Sequence, residues 1–167
     1  MMLYLLRHAI AEERDPQRWP DESRRPLTDE GRVKMRKIAR AMGAMDLTFD
    51  VMLTSPYARA RQTADIVATR FEGVPLVETD QLTPDGSFEG LVDFVRDLPE
   101  MPRSVLLVGH EPHLGELACR LLSGQPGAWF PMKKGGLACL EMEHLDARQP
   151  RGRLLWLLPP RLLRALS

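Results

Sequence analysis

Cysteine is scarce: only Cys119 and Cys139 occur among 167 residues. Two thiols cannot build a disulfide framework. Without a CxxC spacing or a flanking histidine pattern they do not make a zinc site either. They read as small buried hydrophobes of a reducing compartment. A surplus of charge is also missing, since 23 Lys+Arg balance 23 Asp+Glu. That balance excludes a whole-chain polyanion binder, which needs a cationic excess to neutralise phosphates. It leaves room for a small patch that grips one phosphate. No apolar stretch approaches the roughly 20 residues that span a bilayer. Met1 to Leu6 is apolar but short, lacks a basic flank and ends at Arg7, so it does not read as a signal peptide. Repeats and low-complexity blocks are absent. The expectation is a cytoplasmic protein with no nucleic-acid and no membrane partner.

What is present is an ordinary globular composition, 44% hydrophobic and 28% charged. The length suits one domain over 1–167 that buries about 70% of its unfolded surface. Met2 to Leu6 reads as a strand buried on both faces. From Glu12 to Arg25 the chain is polar and carries Pro16 and Pro20, with Pro26 following; it reads as a long surface loop. Thr28 caps a helix with the stripe Met35, Ile38, Met42, ended at Gly43. Asp50 to Thr54 is a short strand. Ser55 and Pro56 open a helix as cap and first residue, with the stripe Ala60, Ala64, Val67, Phe71. Val74 to Glu78 is a strand, and Ser87 caps a helix that buries Phe88, Leu91, Val95 and Leu98. Ser104 to Val108 is a second buried strand, followed by a helix from Pro112 to Leu122. This alternation predicts an α/β domain with a mostly parallel sheet. Gly136 to Glu143 and Arg153 to Leu158 are joined by a loop only, which suits an antiparallel pair and makes the sheet mixed. Leu162 to Leu166 is an apolar tail that packs down and is too short for an independent helix.

Ligands of open α/β sheets bind beyond the carboxyl ends of the strands. Arg7-His8 follows the first strand, Ser55-Pro56-Tyr57-Ala58-Arg59 the second, and Gly109-His110 the strand ending at Val108. Two arginines and two histidines thus converge on one sheet edge. Arginine presents a planar fork that matches phosphate oxygens, and helix N-termini add N–H donors. Histidine in such a pocket can attack phosphorus and carry a covalent intermediate. Nearby arginines are expected to depress the pKa of His8 and keep its attacking lone pair available.

At these positions the sequence resembles the histidine phosphatase superfamily, most closely its SixA-type phosphohistidine phosphatases. The matching segments are Leu5-Leu6-Arg7-His8-Ala9, Arg25-Pro26-Leu27-Thr28 with Gly31, Ser55-Pro56-Tyr57-Ala58-Arg59-Ala60 with Gln62-Thr63, Leu82-Thr83-Pro84, and Val108-Gly109-His110. The resemblance implies that His8 is the phosphorylated nucleophile and that Arg7, Arg59 and His110 complete the catalytic phosphate pocket. It implies a three-layer α/β/α fold of the phosphoglycerate mutase-like type, with one antiparallel strand in the sheet. The chain resembles the bare core, without the insertions that cover the site in the mutases. Two departures stand out. Ala9 replaces a frequent glycine, which calls for ordinary backbone there. No recognisable acid motif surrounds Asp80, Asp85 or Glu89, a lack shared with SixA-type proteins and tolerable for a phosphohistidine, whose ring departs readily once protonated.

The expected function is a metal-independent phosphatase without cofactor, acting on phosphohistidine of a protein partner. The alternatives are a phosphatase for a small phosphorylated metabolite and a phosphate-binding module without turnover. His110-Glu111-Pro112-His113 lacks the HExxH spacing of a metal site. His113 and His144 read as structural. Lys133-Lys134-Gly135-Gly136 reads as a basic turn before a strand in preference to a phosphate loop. Arg24 and Arg25 stay open between substrate contacts and a solvated loop, as does closure of the 12–25 loop over a ligand. Trp19, Trp129 and Trp156 read as packing or surface anchors.

Overall fold

The computed structural model describes residues 1–127 and 131–167, so Trp129 lies outside the described residues. The described chain runs β1 (Met2–Arg7), α1 (Asp29–Ala44), β2 (Val51–Thr54), α2 (Ala58–Ala68), β3 (Leu76–Glu78), α3 (Phe88–Arg96), β4 (Ser104–Gly109), α4 (His113–Ser123), β5 (Leu137–His144), β6 (Arg151–Leu158) and α5 (Pro160–Ala165). The six strands form one sheet in the order β3-β2-β4-β1-β5-β6. β1 to β4 are mutually parallel, and β5 runs against both of its neighbours. This is the three-layer mixed α/β fold anticipated from the sequence, with one antiparallel strand.

Alternation along the strands sends successive side chains to opposite layers. Leu3, Leu5, Leu53, Val105 and Leu107 pack under α3 and α4, against Leu91, Val95, Leu114 and Leu117. Tyr4, Leu6, Met52, Leu106 and Val108 pack under α1 and α2, against Met35, Ile38, Met42, Ala60, Ala64 and Val67. Residues buried this fully each stabilise the fold by roughly 1.5–3 kcal/mol, which is why the central strands are continuous apolar runs.

Four local expectations shift. Thr28 accepts from Gly31 N–H as a cap should, but α1 runs through Gly43 to Ala44, and the left-handed residue is Asp46 at φ 54°. Gly43 serves packing instead: a Cβ there would lie 2.5 Å from Nε of Arg70. Helix α2 starts at Ala58 with Tyr57 as its cap, so Ser55 and Pro56 stand outside it. Phe71 and Leu98 follow the ends of α2 and α3, and Phe71 packs edge-on to Phe49, ring centres 4.7 Å apart. The C-terminal tail does become a helical turn, because docking buries Leu163 against the α1 side of the sheet.

Candidate active site

The strand register assembles the site. Arg7 at the end of β1 pairs with Gly109 at the end of β4, and Thr54 of β2 pairs with Val108. The next residues of three adjacent strands, His8, His110 and Ser55, therefore emerge together. His8 N–H donates to Gly109 O at 3.0 Å and Ser55 N–H to Val108 O at 3.0 Å, which locks the three exits together. The His8 and His110 rings lie 5.1 Å apart, and both side chains are buried, with 5% and 1% exposure.

Each ring is oriented by a hydrogen bond. His8 Nδ1 lies 2.7 Å from Ala9 O. A carbonyl only accepts, so Nδ1 carries the proton and Nε2 keeps its lone pair. Ala9 is itself held: its N–H donates to Thr63 Oγ1 at 3.0 Å, and Thr63 Oγ1 donates to Arg59 O at 2.7 Å. Thr63 thus couples the His8-Ala9 segment to the first turn of α2. Gln62 Oε1 accepts from Leu27 N–H and from Arg32, which ties α2 to the end of the long loop. His110 Nε2 lies 2.9 Å from Ser55 Oγ, which also accepts from Tyr57 N–H. Tyr57 stacks edge-on to His110, ring centres 5.3 Å apart.

Burial drives the pKa of His8 down to about 3, and Arg59, Arg7 and Lys134 lower it further against the opposing Ala9 hydrogen bond. Burial likewise lowers His110 to about 2, with His8 and Arg59 adding to the effect. The depression expected from the arginines is present, but desolvation is the larger cause. Both imidazoles are neutral at physiological pH.

The four predicted residues, Arg7, His8, Arg59 and His110, line one cavity of about 450 Å³. Arg7 Nε, Arg59 Nε and His110 Nδ1 are buried there without a protein hydrogen-bond partner. The two arginine Nε–H groups are donors, and buried donors are normally satisfied, so with the two guanidinium charges they suit an anionic occupant. Arg59 is 3% exposed; burial lowers its pKa to about 10, with Arg25 contributing. Its NH1 donates to Glu22 O at 3.0 Å.

Further residues join them. Arg25 lines the cavity and is 7% exposed, so it is not a solvated loop residue; Arg24 is exposed and does not line it. Arg25 grips Glu22 through Nε at 2.9 Å and NH2 at 2.5 Å, and donates NH1 to Glu12 O. Arg25 holds the Glu22 carboxyl below the usual range, with Arg59 and Arg14 assisting. Lys134 also lines the cavity, so the 133–136 turn is part of the site. Gly135, at φ 78°, donates its N–H to both Arg7 O and His8 O, at 3.0 and 3.2 Å. Three carboxylates line the wall: Glu12, Glu13 and Glu111. Asp80, Asp85 and Glu89 do not; Glu89 pairs with Arg120 on the surface. His113 is buried away from the cavity in α4, and His144 is exposed. Among the described residues no three His, Cys, Asp or Glu side chains gather as a metal-binding group. No helix among them is long and apolar enough to cross a membrane. A larger cavity of about 700 Å³ lies at the amino ends of β2, β3 and β4, lined by Pro75, Met101 and Pro102 and without histidine.

Ordinary signals could have found some of these. Arg25 sits in a segment already matched to the family. Lys134, Glu111 and Ser55 become site residues only through the register of β1, β2, β4 and β5.

Comparison with known proteins agrees with this geometry. The profile of the histidine phosphatase superfamily (branch 1) matches residues 3–93. An uncharacterised protein of Picosynechococcus sp. is 36% identical over 138 residues, 82% of each chain. The protein histidine phosphatase SixA, solved with tungstate, superposes with a TM-score of 0.81 at 26% identity, over 98% of this chain and 99% of that one. The α-ribazole phosphatase of Shigella flexneri shares the fold, with a TM-score of 0.69 at 19% identity over 96% and 97% of the two chains. The profile spans Arg7, His8 and Arg59, the solved SixA chain carries the likeness through the remaining strands, and the protein belongs to the histidine phosphatase superfamily, branch 1.

Proposed function

We propose that the protein is a phosphatase working through phospho-His8, with phosphohistidine on a protein as its substrate. One observation carries the reading: a neutral histidine with Nδ1 tied to a carbonyl faces a cavity that buries three partnerless nitrogens, on Arg7, Arg59 and His110. Arg7 and Arg59 grip the phosphoryl oxygens, and His110 Nδ1–H, with Nε2 engaged by Ser55, donates to the transferring group. Fixed donors of this kind supply most of the catalysis in phosphoryl transfer. His8 Nε2 attacks phosphorus in line; the Nε2–P bond forms as the P–N bond to the substrate ring breaks, and the leaving ring takes a proton from water. Water then attacks phospho-His8, releasing inorganic phosphate and restoring the imidazole.

The choice of phosphohistidine is supported by the bonding of Glu111, the acid next to His110. Glu111 has both oxygens occupied by backbone N–H groups. A phosphoramidate needs less help from an acid than an alkyl phosphate does. Glu12 and Glu13 on the cavity wall favour a second reading, a small phosphomonoester whose alkoxide one of them protonates. Comparing turnover of a phosphohistidine peptide, a phosphoserine peptide and a small alkyl phosphate, in EDTA, tests both. Preference for phosphohistidine is expected. Faster alkyl phosphate turnover that is lost in Glu12→Gln or Glu13→Gln selects the second reading. Tight phosphate binding with no turnover of any substrate overturns the enzymatic reading.

A further inference from the structure

Glu111 follows His110 directly, yet the scheme above gives it no chemical step. Its carboxylate joins two remote pieces of backbone. Oε1 accepts from Met132 N–H at 2.8 Å, and Oε2 accepts from Gly115 N–H in the first turn of α4 at 3.2 Å. Met132 carries the connection onward, because its carbonyl accepts from Arg7 NH1 at 2.6 Å. Met132 lies in neither helix nor strand. Its backbone is therefore held by these two bonds and by its buried side chain, which packs in the core under α3 and α4.

A free arginine side chain carries substantial rotamer entropy. Arg7 must lose it to present a donor at a fixed place. The Met132 carbonyl fixes one end of the guanidinium and leaves the buried Nε without a protein partner. That carbonyl can only hold Arg7 if the Met132 backbone is itself held, and the Glu111 carboxylate anchors it at the preceding peptide, through Met132 N–H, one Cα away from the carbonyl. The same carboxylate offsets the cost of burying the Arg7 charge.

We propose that Glu111 is a positioning residue for Arg7: it anchors the Met132 backbone at its N–H, and the Met132 carbonyl, in the following peptide, orients the guanidinium toward the phosphoryl group. The inference rests on reading the cavity as a phosphoryl site. A small displacement of a substrate-gripping group can cost up to about 100-fold in rate.

The test uses Glu111→Gln, Glu111→Ala and Arg7→Ala, alone and combined. Three quantities are measured: kcat/KM on p-nitrophenyl phosphate, the Kd of inorganic phosphate by calorimetry, and the thermal midpoint. Glu111→Gln keeps the side chain's shape and one carbonyl acceptor. It is expected to lower kcat/KM and weaken phosphate binding by about tenfold, with the thermal midpoint nearly unmoved, and Glu111→Ala by more. In the Arg7→Ala background Glu111→Gln should change kcat/KM by less than twofold, since its effect runs through Arg7. Additive losses in the double variant overturn the inference. So do phosphate affinity within twofold of wild type in both Glu111 variants, and losses that only track thermal stability. If wild-type protein neither binds phosphate nor turns over the substrate, the proposed function falls and this inference with it. If wild type does both, failure of the Glu111 arms touches this inference alone.

Discussion

The hydroxyl of Ser55 lies 2.9 Å from Nε2 of His110, joining the residue after β2 to the residue after β4. Ser55 Oγ accepts from Tyr57 N–H and has its proton free to donate. The proposed mechanism needs that proton on His110 Nε2, which leaves Nδ1–H as the ring's donor. Removing the hydroxyl in Ser55→Ala frees the ring and leaves the Tyr57 amide without its partner. A hydrogen bond of this type is worth about 1 kcal/mol, so kcat/KM is expected to fall five- to tenfold, about 1–1.4 kcal/mol of barrier. Steady-state kinetics on a phosphohistidine peptide check it; an unchanged rate denies the tautomer assignment.

His8→Ala removes the Nε2 that the proposed mechanism uses as nucleophile. Turnover is expected to drop at least about 1,000-fold, in line with loss of a nucleophile, while inorganic phosphate still binds through Arg7 and Arg59. Rapid alkaline or denaturant quench of wild-type protein with ³²P-labelled substrate should trap an alkali-stable label on His8 that is lost on later acid treatment. Label on any other residue contradicts the assignment.

The two histidines also make stability fall with acid. Their folded-state pKa values, about 3 and about 2, lie below the ordinary 6.5. Between these values the unfolded chain binds more protons than the folded one, so stability rises with pH across that window. The contribution is complete above about pH 7 and is lost progressively as pH falls toward 3. By pH 5 each histidine should cost about 2 kcal/mol. Denaturant unfolding at pH 7.5 and pH 5 checks this, and the decrease should shrink in a His8→Asn variant. Equal decreases in variant and wild type place the acid sensitivity elsewhere.

Thr63→Val keeps shape but deletes the oxygen that accepts from Ala9 N–H and donates to Arg59 O. A buried amide left without a partner costs about 1–3 kcal/mol, and the thermal midpoint should fall accordingly. Because Ala9 O anchors His8, kcat should drop with it. A stability loss with kcat unchanged separates the Ala9 N–H from the orientation of His8.

The sequence made the sheet end readable because strands buried on both faces are continuous apolar runs, and Arg7-His8, Arg59 and Gly109-His110 each follow one. It was less informative where polar residues act through space. Ser55 next to Pro56 looks the same whether it caps a helix or orients a histidine, and only the pairing of Thr54 with Val108 decides. Arg25 sits in a polar loop whose composition resembles any solvated surface, yet Glu22 and Glu12 O bury it. Lys134 enters the cavity because β5 runs antiparallel beside β1, a relation that no local pattern around Lys133-Lys134 encodes. The cause of the His8 pKa shift was hidden for a similar reason: neighbouring charges can be guessed from motifs, whereas desolvation depends on the packing of the whole sheet edge.

Gly135 shares its N–H between the carbonyls of Arg7 and His8. In kinetic terms this closes a loop spanning most of the chain, and such long closures are slow compared with forming local helices. The parallel strands can pair while the β5–β6 hairpin is still undocked, but the nucleophile's own backbone is not yet clamped. Catalytic competence thus requires this long-range docking as well as the pairing of the parallel strands. Recovery of phosphatase activity during refolding should lag behind recovery of the helical circular-dichroism signal.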